Sequence, residues 1–167
     1  MKKAFLILIT ILAFSSGAFA QRHTPYERHS TPYAGIGVAT NFRSAEEGRT
    51  GPALTLGFRN YNRYSFLSFA VGAEALGYYI PSSTQSAVGG FAIPEIGLAI
   101  GPDFFKLYPH SGFMLGYDSV DNAFGWGGKE GLAFEFGRHV TIDFSVYVPK
   151  YNFREALYAF NFIWRFF

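Results

Sequence analysis

The sequence predicts an all-β protein, a single up-and-down antiparallel transmembrane β-barrel of about eight strands. Three observations carry that expectation. Apolar and polar residues alternate with period two along most of the chain, as in strands with two different faces. Clusters of Gly, Pro, Asn and Asp cut the alternation into short segments bounded by turn chemistry. One face is apolar and free of charge, and the other is built largely from small residues. Composition agrees: 20% of the 167 residues are aromatic and 16% are charged, against roughly 25% charged in an average soluble domain. A disordered chain would be poor in aromatics and rich in charge. With no Cys there is no disulfide framework, thiolate metal site or Cys nucleophile, and no attachment point for a lipoprotein lipid.

The N-terminus reads as an address. Lys2 and Lys3 precede an apolar run from Ala4 to Phe14, and Ala18-Phe19-Ala20 supplies small residues for cleavage, the pattern of a secretory signal peptide over residues 1–20. The run is shorter than the ~18–20 residues of a membrane-spanning helix. Removing it takes Lys2 and Lys3 with it, leaving 12 basic against 12 acidic side chains. A nucleic-acid partner would need a basic stripe, so none is expected. Residues 21–32, polar and aperiodic with two Pro, read as a periplasmic N-terminal tail, and residues 33–167 as an outer-membrane β-barrel domain.

Strands are expected near 33–42, 51–60, 65–79, 88–101, 103–118, 126–137, 139–149 and 155–167. The alternation is plainest in Val140-Thr141-Ile142-Asp143-Phe144-Ser145-Val146 and in Phe160-Asn161-Phe162-Ile163-Trp164. Tight turns at Asn60-Tyr61-Asn62-Arg63, Gly101-Pro102-Asp103 and Gly137-Arg138-His139 interleave with longer segments at 43–50, 80–87, 118–125 and 149–154, as in an even-stranded meander. Pro109 and Ser111 interrupt the fifth strand, where a bulge or bend is expected.

Facing follows from chemistry. A soluble barrel covers its exterior with long charged side chains. Here the less apolar parity carries Gly57, Ala70, Gly72, Gly97, Ala99, Gly116, Gly131, Ala133 and Ser145, which suit a narrow interior. The apolar parity, with Leu54, Leu56, Phe58, Phe69, Ile96, Phe113, Leu132, Phe144 and Phe162 among its members, reads as a charge-free lipid face. Arg59, Glu74, Glu95, Lys106, Glu135, Asp143 and Arg165 fall on the inner parity. Buried charges persist only when paired, so a salt-bridged plug is expected, the alternative for Arg59 and Arg165 being a strand end in water. Tyr33, Tyr61, Tyr64, Tyr78, Tyr79, Tyr117, Trp126, Tyr158 and Trp164, near strand ends, are expected in interfacial girdles.

With these features the chain resembles the small eight-stranded outer-membrane barrels, of the outer membrane protein X and outer membrane protein A membrane-domain type. The resemblance rests on the signal, the alternating strands, and a last strand, YAFNFIWRFF, with alternating aromatics and a C-terminal Phe167. It implies residence in the cell outer membrane, contact with outer-membrane lipid and lipopolysaccharide, assembly by barrel-assembly machinery, and a larger envelope complex as a candidate partner.

Some such barrels modify lipid A, as a deacylase or a palmitoyltransferase, so catalysis was weighed. Nucleophilic catalysis wants a Ser with a base in reach. His110-Ser111 is the candidate, but adjacent strand residues point to opposite faces, and the deacylase resemblance asks for a His and a Ser two apart. His139 falls in a predicted periplasmic turn. His23 and His29 lie in the tail, and Asp118, Asp121 and Asn122 lack the Gly and terminal Glu of a calcium loop. Gly125-Trp126-Gly127-Gly128-Lys129 resembles a phosphate loop, but Glu130 stands where Ser or Thr is required, so it reads as a turn leading into a strand. No catalytic, cofactor-binding or metal residue is therefore expected, and no cofactor. Eight strands leave no open pore. The expectation is a non-enzymatic barrel with a structural, adhesive or partner-docking role. The alternative is a lipid A-modifying outer-membrane enzyme of deacylase or acyltransferase type, and the third reading is a soluble lipocalin-like carrier.

Overall fold

A computed structural model describes residues 29–41, 49–82, 86–119, 123–150 and 156–166. The expected signal peptide, tail residues 21–28 with His23, loop residues Asp121 and Asn122, and Phe167 lie outside the described residues. The strands are β1 (His29–Asn41), β2 (Arg49–Tyr61), β3 (Leu67–Ile80), β4 (Ala87–Ile100), β5 (Phe105–Asp118), β6 (Ala123–Phe136), β7 (Val140–Pro149) and β8 (Leu157–Arg165). Each pairs antiparallel with its neighbours in sequence, and β1 pairs with β8 to close the barrel. The expected fold is the fold observed. β1 begins four residues before the alternation does, with Pro32 opposite Phe58.

Strands β2 and β3, β4 and β5, and β6 and β7 are joined by tight turns, and this end is called the turn side. Gly101 (φ 128°) and Gly137 (φ 56°) occupy left-handed backbone there, which a Cβ disfavours. A Cβ on Gly101 would also stand 2.5 Å from the Phe105 carbonyl oxygen. The other four connections define the loop side.

Alternation along each strand separates wall from lumen. Phe144 is 49% exposed and Phe162 46%, while their neighbours Asp143 and Asn161 are both 0% exposed. On the wall, rings pack across strands: Phe144 meets Phe160 at 4.8 Å and Phe134 edge-on at 6.2 Å. An apolar exterior of this extent calls for an apolar solvent. The lumen is divided lengthwise. Its loop-side half is apolar, with Leu76, Ile80, Phe91, Ile93, Met114 and Leu157 in one buried cluster. Its turn-side half holds the charges. Small residues make room for large ones: a Cβ on Gly57 would stand 2.6 Å from the Tyr33 ring, and one on Gly97 2.8 Å from that of Tyr108.

Three expectations change and one alternative drops out. No bulge forms at Pro109: β5 keeps one register with β6 from Phe105↔Phe136 to Asp118↔Ala123, and with β4 on both sides of the proline. Proline has no N–H to donate, and the partners on β4 pass from His110 to Leu107. Tyr33, Tyr61 and Tyr78 are buried lumen residues and not girdle residues, while Tyr64, Tyr79, Tyr117, Trp126, Tyr158 and Trp164 are exposed. Arg59 and Arg165 are buried, at 0% and 1% exposure, so neither ends in water. Gly125 to Lys129 is strand, within β6, and not a turn. The apolar exterior also speaks against the soluble-carrier reading, which calls for a wall of long charged side chains. The gap beside Phe91, Met114, Gly116 and Gly125 is about 20 Å³, room for about one water.

Candidate functional site

Two polar clusters stand out, one in the lumen and one on the wall. The lumen cluster is built around Arg59, projected inward from β2. Its guanidinium reaches Glu95 of β4 at 3.1 Å, Glu135 of β6 at 3.4 Å and Asp143 of β7 at 2.9 Å, and it lies over the rings of Tyr33 and Tyr108. Lys129 Nζ stands 2.8 Å from Glu74 and 3.1 Å from Glu95. Arg165 donates to Glu135 Oε2 at 2.6 Å and to the Gly137 carbonyl at 2.8 Å. The hydroxyls of Tyr33 and Tyr147 donate to Glu74, and that of Tyr61 to Glu135. Lys106 donates instead to the carbonyls of Ser65 and Gly101. The plug expected from parity exists, and Lys129, expected in a turn, is one of its cations.

His110 and Ser111 diverge as alternation requires. His110 points inward, with Nε2 3.2 Å from Asp143 Oδ2 and Nδ1 3.6 Å from Glu95 Oε2. Ser145 Oγ donates to Asp143 Oδ1 at 2.5 Å. Histidine, acid and serine therefore meet, but the carboxylate and not the imidazole takes the serine hydroxyl. All three are buried. This cluster links β2, β4, β5, β6 and β7 across the lumen. His139 lies at the turn side, stacked on Trp164 at 5.2 Å. Asp118 accepts the Tyr78 hydroxyl at 2.8 Å.

Ser111 points outward, half-buried in the wall. Its Oγ donates to Glu130 Oε1 at 2.8 Å, from the position directly opposite on β6. The face is therefore not free of charge: Glu130 has the outward parity of Trp126, Leu132 and Phe136 and is exposed. Among the described residues no other charged side chain has the outward parity of a strand. Ile96 faces Ser111 from β4, and Val146 faces Glu130 from β7. A hydroxyl with its proton acceptor is thus set in an apolar surface, and both groups are accessible from outside the barrel.

Neither a protein-family model nor a curated protein sequence matches the chain. Among solved structures, the outer membrane enzyme PagL matches with a TM-score of 0.58 and 9% identity, over 81% of this chain and 97% of that one. The chain shares its fold with an outer-membrane enzyme. That finding corrects the expectation of a non-enzymatic, structural, adhesive or docking barrel, and with it the exclusion of catalysis. The outer membrane protein X and A type named from sequence is replaced by the coarser statement that the barrel is similar to that of PagL. At 9% identity the likeness carries the architecture and assigns no residue.

Proposed function

We propose that this protein is an outer-membrane enzyme that modifies lipid from its outer wall by acyl transfer, with Ser111 as nucleophile and Glu130 as its proton acceptor. The observation that carries the reading is the 2.8 Å hydrogen bond from Ser111 Oγ to Glu130 Oε1 on the apolar wall. An ionisable residue facing lipid is costly and marks function by default, and a hydroxyl nucleophile needs an adjacent base. Ser111 Oγ attacks an ester carbonyl while Glu130 takes the hydroxyl proton. The C–O bond of the ester breaks, the leaving alcohol collects the proton from Glu130, and the acyl group stays on Oγ until water releases it. No His stands two residues from Ser111, since Pro109 occupies that outward position, so the carboxylate is the base.

Depth fits a lipid substrate. Glu130 lies four residues along β6 from the exposed Trp126, about 10 Å along the membrane normal for a strand rising ~3.4 Å per residue at a tilt of about 40°. That is near the middle of the ~25 Å apolar band, at the depth of acyl chains. With the loops outside the cell, the leaflet on the Trp126 side is the outer one, and lipopolysaccharide is the substrate class proposed. The reading includes export by residues 1–20, cleavage after Ala20, insertion of the barrel domain by assembly machinery, and the outer membrane as its location. The test is mass spectrometry of outer-membrane lipid from cells expressing the protein, Ser111→Ala or Glu130→Gln. A deacylated or acyl-shifted species should appear with the first and be lost with both variants. Lipid profiles identical with and without the protein would overturn the reading.

A further inference from the structure

The wall carries a second feature, in its loop-side half. Over most of the wall, large side chains stand out from every strand, but on β3 and β4 they give way to Ala75, Gly77, Gly90 and Ala92. The result is an apolar furrow of about 310 Å³, walled on the β2 side by Leu54 and Leu56. Register places Leu54 opposite Gly77 and Leu56 opposite Ala75, and Gly77 opposite Gly90 and Ala75 opposite Ala92. Leu115 and Tyr117 of β5 stand opposite Ala92 and Gly90 on the far side. The furrow therefore follows the strands as a straight channel two strands wide. A Cβ on Gly77 would meet nothing within 4 Å, and one on Gly90 only the Leu76 carbonyl oxygen at 3.6 Å. These glycines thus leave space that no neighbouring side chain fills.

We infer that this furrow is a binding site for one straight, saturated acyl chain of the surrounding lipid. Its surroundings decide the occupant: it is continuous with the apolar wall, and its lining is apolar throughout. Lipid has no hydrophobic reason to prefer one part of that wall, because chains are as apolar as the side chains they touch. Selectivity comes from contact, and a chain lying in the angle between the furrow floor and the Leu54–Leu56 wall gains carbon–carbon contacts on two sides where a flat wall offers one. A volume of about 310 Å³ holds roughly ten methylene-sized groups at about 30 Å³ each. A cis double bond bends the chain out of a straight channel, so unsaturated chains lose the contacts that saturated ones keep. The inference goes beyond the proposed reaction, because it rests on residence in a bilayer and not on chemistry at Ser111.

The test uses tryptophan fluorescence in liposomes of dibrominated phosphatidylcholine, in a Trp126→Phe, Trp164→Phe background. Leu115→Trp reports beside the furrow and Phe160→Trp on the plain wall of β8. Replacing part of the brominated lipid with dipalmitoyl phosphatidylcholine should relieve quenching beside the furrow about threefold more than the same fraction of dioleoyl lipid, as a few added contacts provide. The two lipids should act alike at the β8 reporter. Gly77→Leu and Gly90→Leu together, which the open space accommodates, should abolish the difference. Equal relief by both lipids beside the furrow, or a preference that survives the filled furrow, overturns the inference. Hydrolysis of lipid by these variants is a separate readout, so a failed furrow and a failed active site are told apart.

Discussion

Two carboxylates, Glu95 and Glu130, summarise the difference between lumen and wall. Glu95 is 2% exposed and is held by Arg59 and Lys129, with His110 beside it. Glu130 is exposed on the apolar face and has Ser111 as its hydrogen-bond donor. Burial forces the first arrangement, since an unpaired charge in the lumen would unfold the barrel. Nothing in the packing requires the second. The cost of a polar group in that place is the reason Glu130 carries the proposed chemistry. The lumen pairs, with the histidine, aspartate and serine that resemble catalytic groups, are buried. The wall pair, with no imidazole, is the candidate site.

The comparison breaks first at Arg59. Arg59→Ala takes one partner from each of three carboxylates, leaving Glu95 with Lys129, Glu135 with Arg165, and Asp143 with His110 and Ser145. Losing one partner of a buried pair costs ~3–5 kcal/mol; unfolding in detergent, followed by heat-modified gel mobility, should show that loss. Facing is the next test. Phe144→Arg should cost about 2–4 kcal/mol from its place in the lipid, while Asn161→Arg meets the lumen carboxylates and costs only what its size costs. A Phe144→Arg variant no less stable than Phe144→Leu would contradict the lipid facing. A smaller effect probes crowding: Gly131→Ala places a Cβ 2.2 Å from His110 Cε1 and 2.7 Å from Ser145 Oγ, an overpacking worth about 1–3 kcal/mol in the same unfolding assay. The smallest effect is the sharpest. Glu130→Gln should leave unfolding within about 0.5 kcal/mol of the parent protein while lipid modification is lost.

Most of the fold was legible because both faces of each strand carry a signal. Asp143 and Phe144 announce opposite faces to any reader of period two. The site was harder to read. Extending the alternation of Leu132, Phe134 and Phe136 back along β6 puts Glu130 on the wall and Lys129 in the lumen. The run Gly125 to Gly128, with Trp126 as its sole side chain beyond hydrogen, hid that continuation and read as a turn. In a run where glycines fall on both parities, as Gly125, Gly127 and Gly128 do, they carry no facing information. Tyr33, Tyr61 and Tyr78 misled for a related reason, because a tyrosine near a strand end suits a girdle and a lumen equally. Parity settles it: Tyr61 is in step with Arg59, and Tyr78 with Glu74.

The account turns on whether Ser111 is a nucleophile that faces lipid. Barrels in liposomes should be treated with a long-chain alkyl fluorophosphonate, which enters from the bilayer and reacts with activated serines, and then digested for peptide mass spectrometry. The account predicts a single adduct on Ser111, absent from Ser111→Ala, slowed in Glu130→Gln, and unchanged when the buried Ser145 is replaced by Ala. No adduct on Ser111, or one on Ser145, would contradict it.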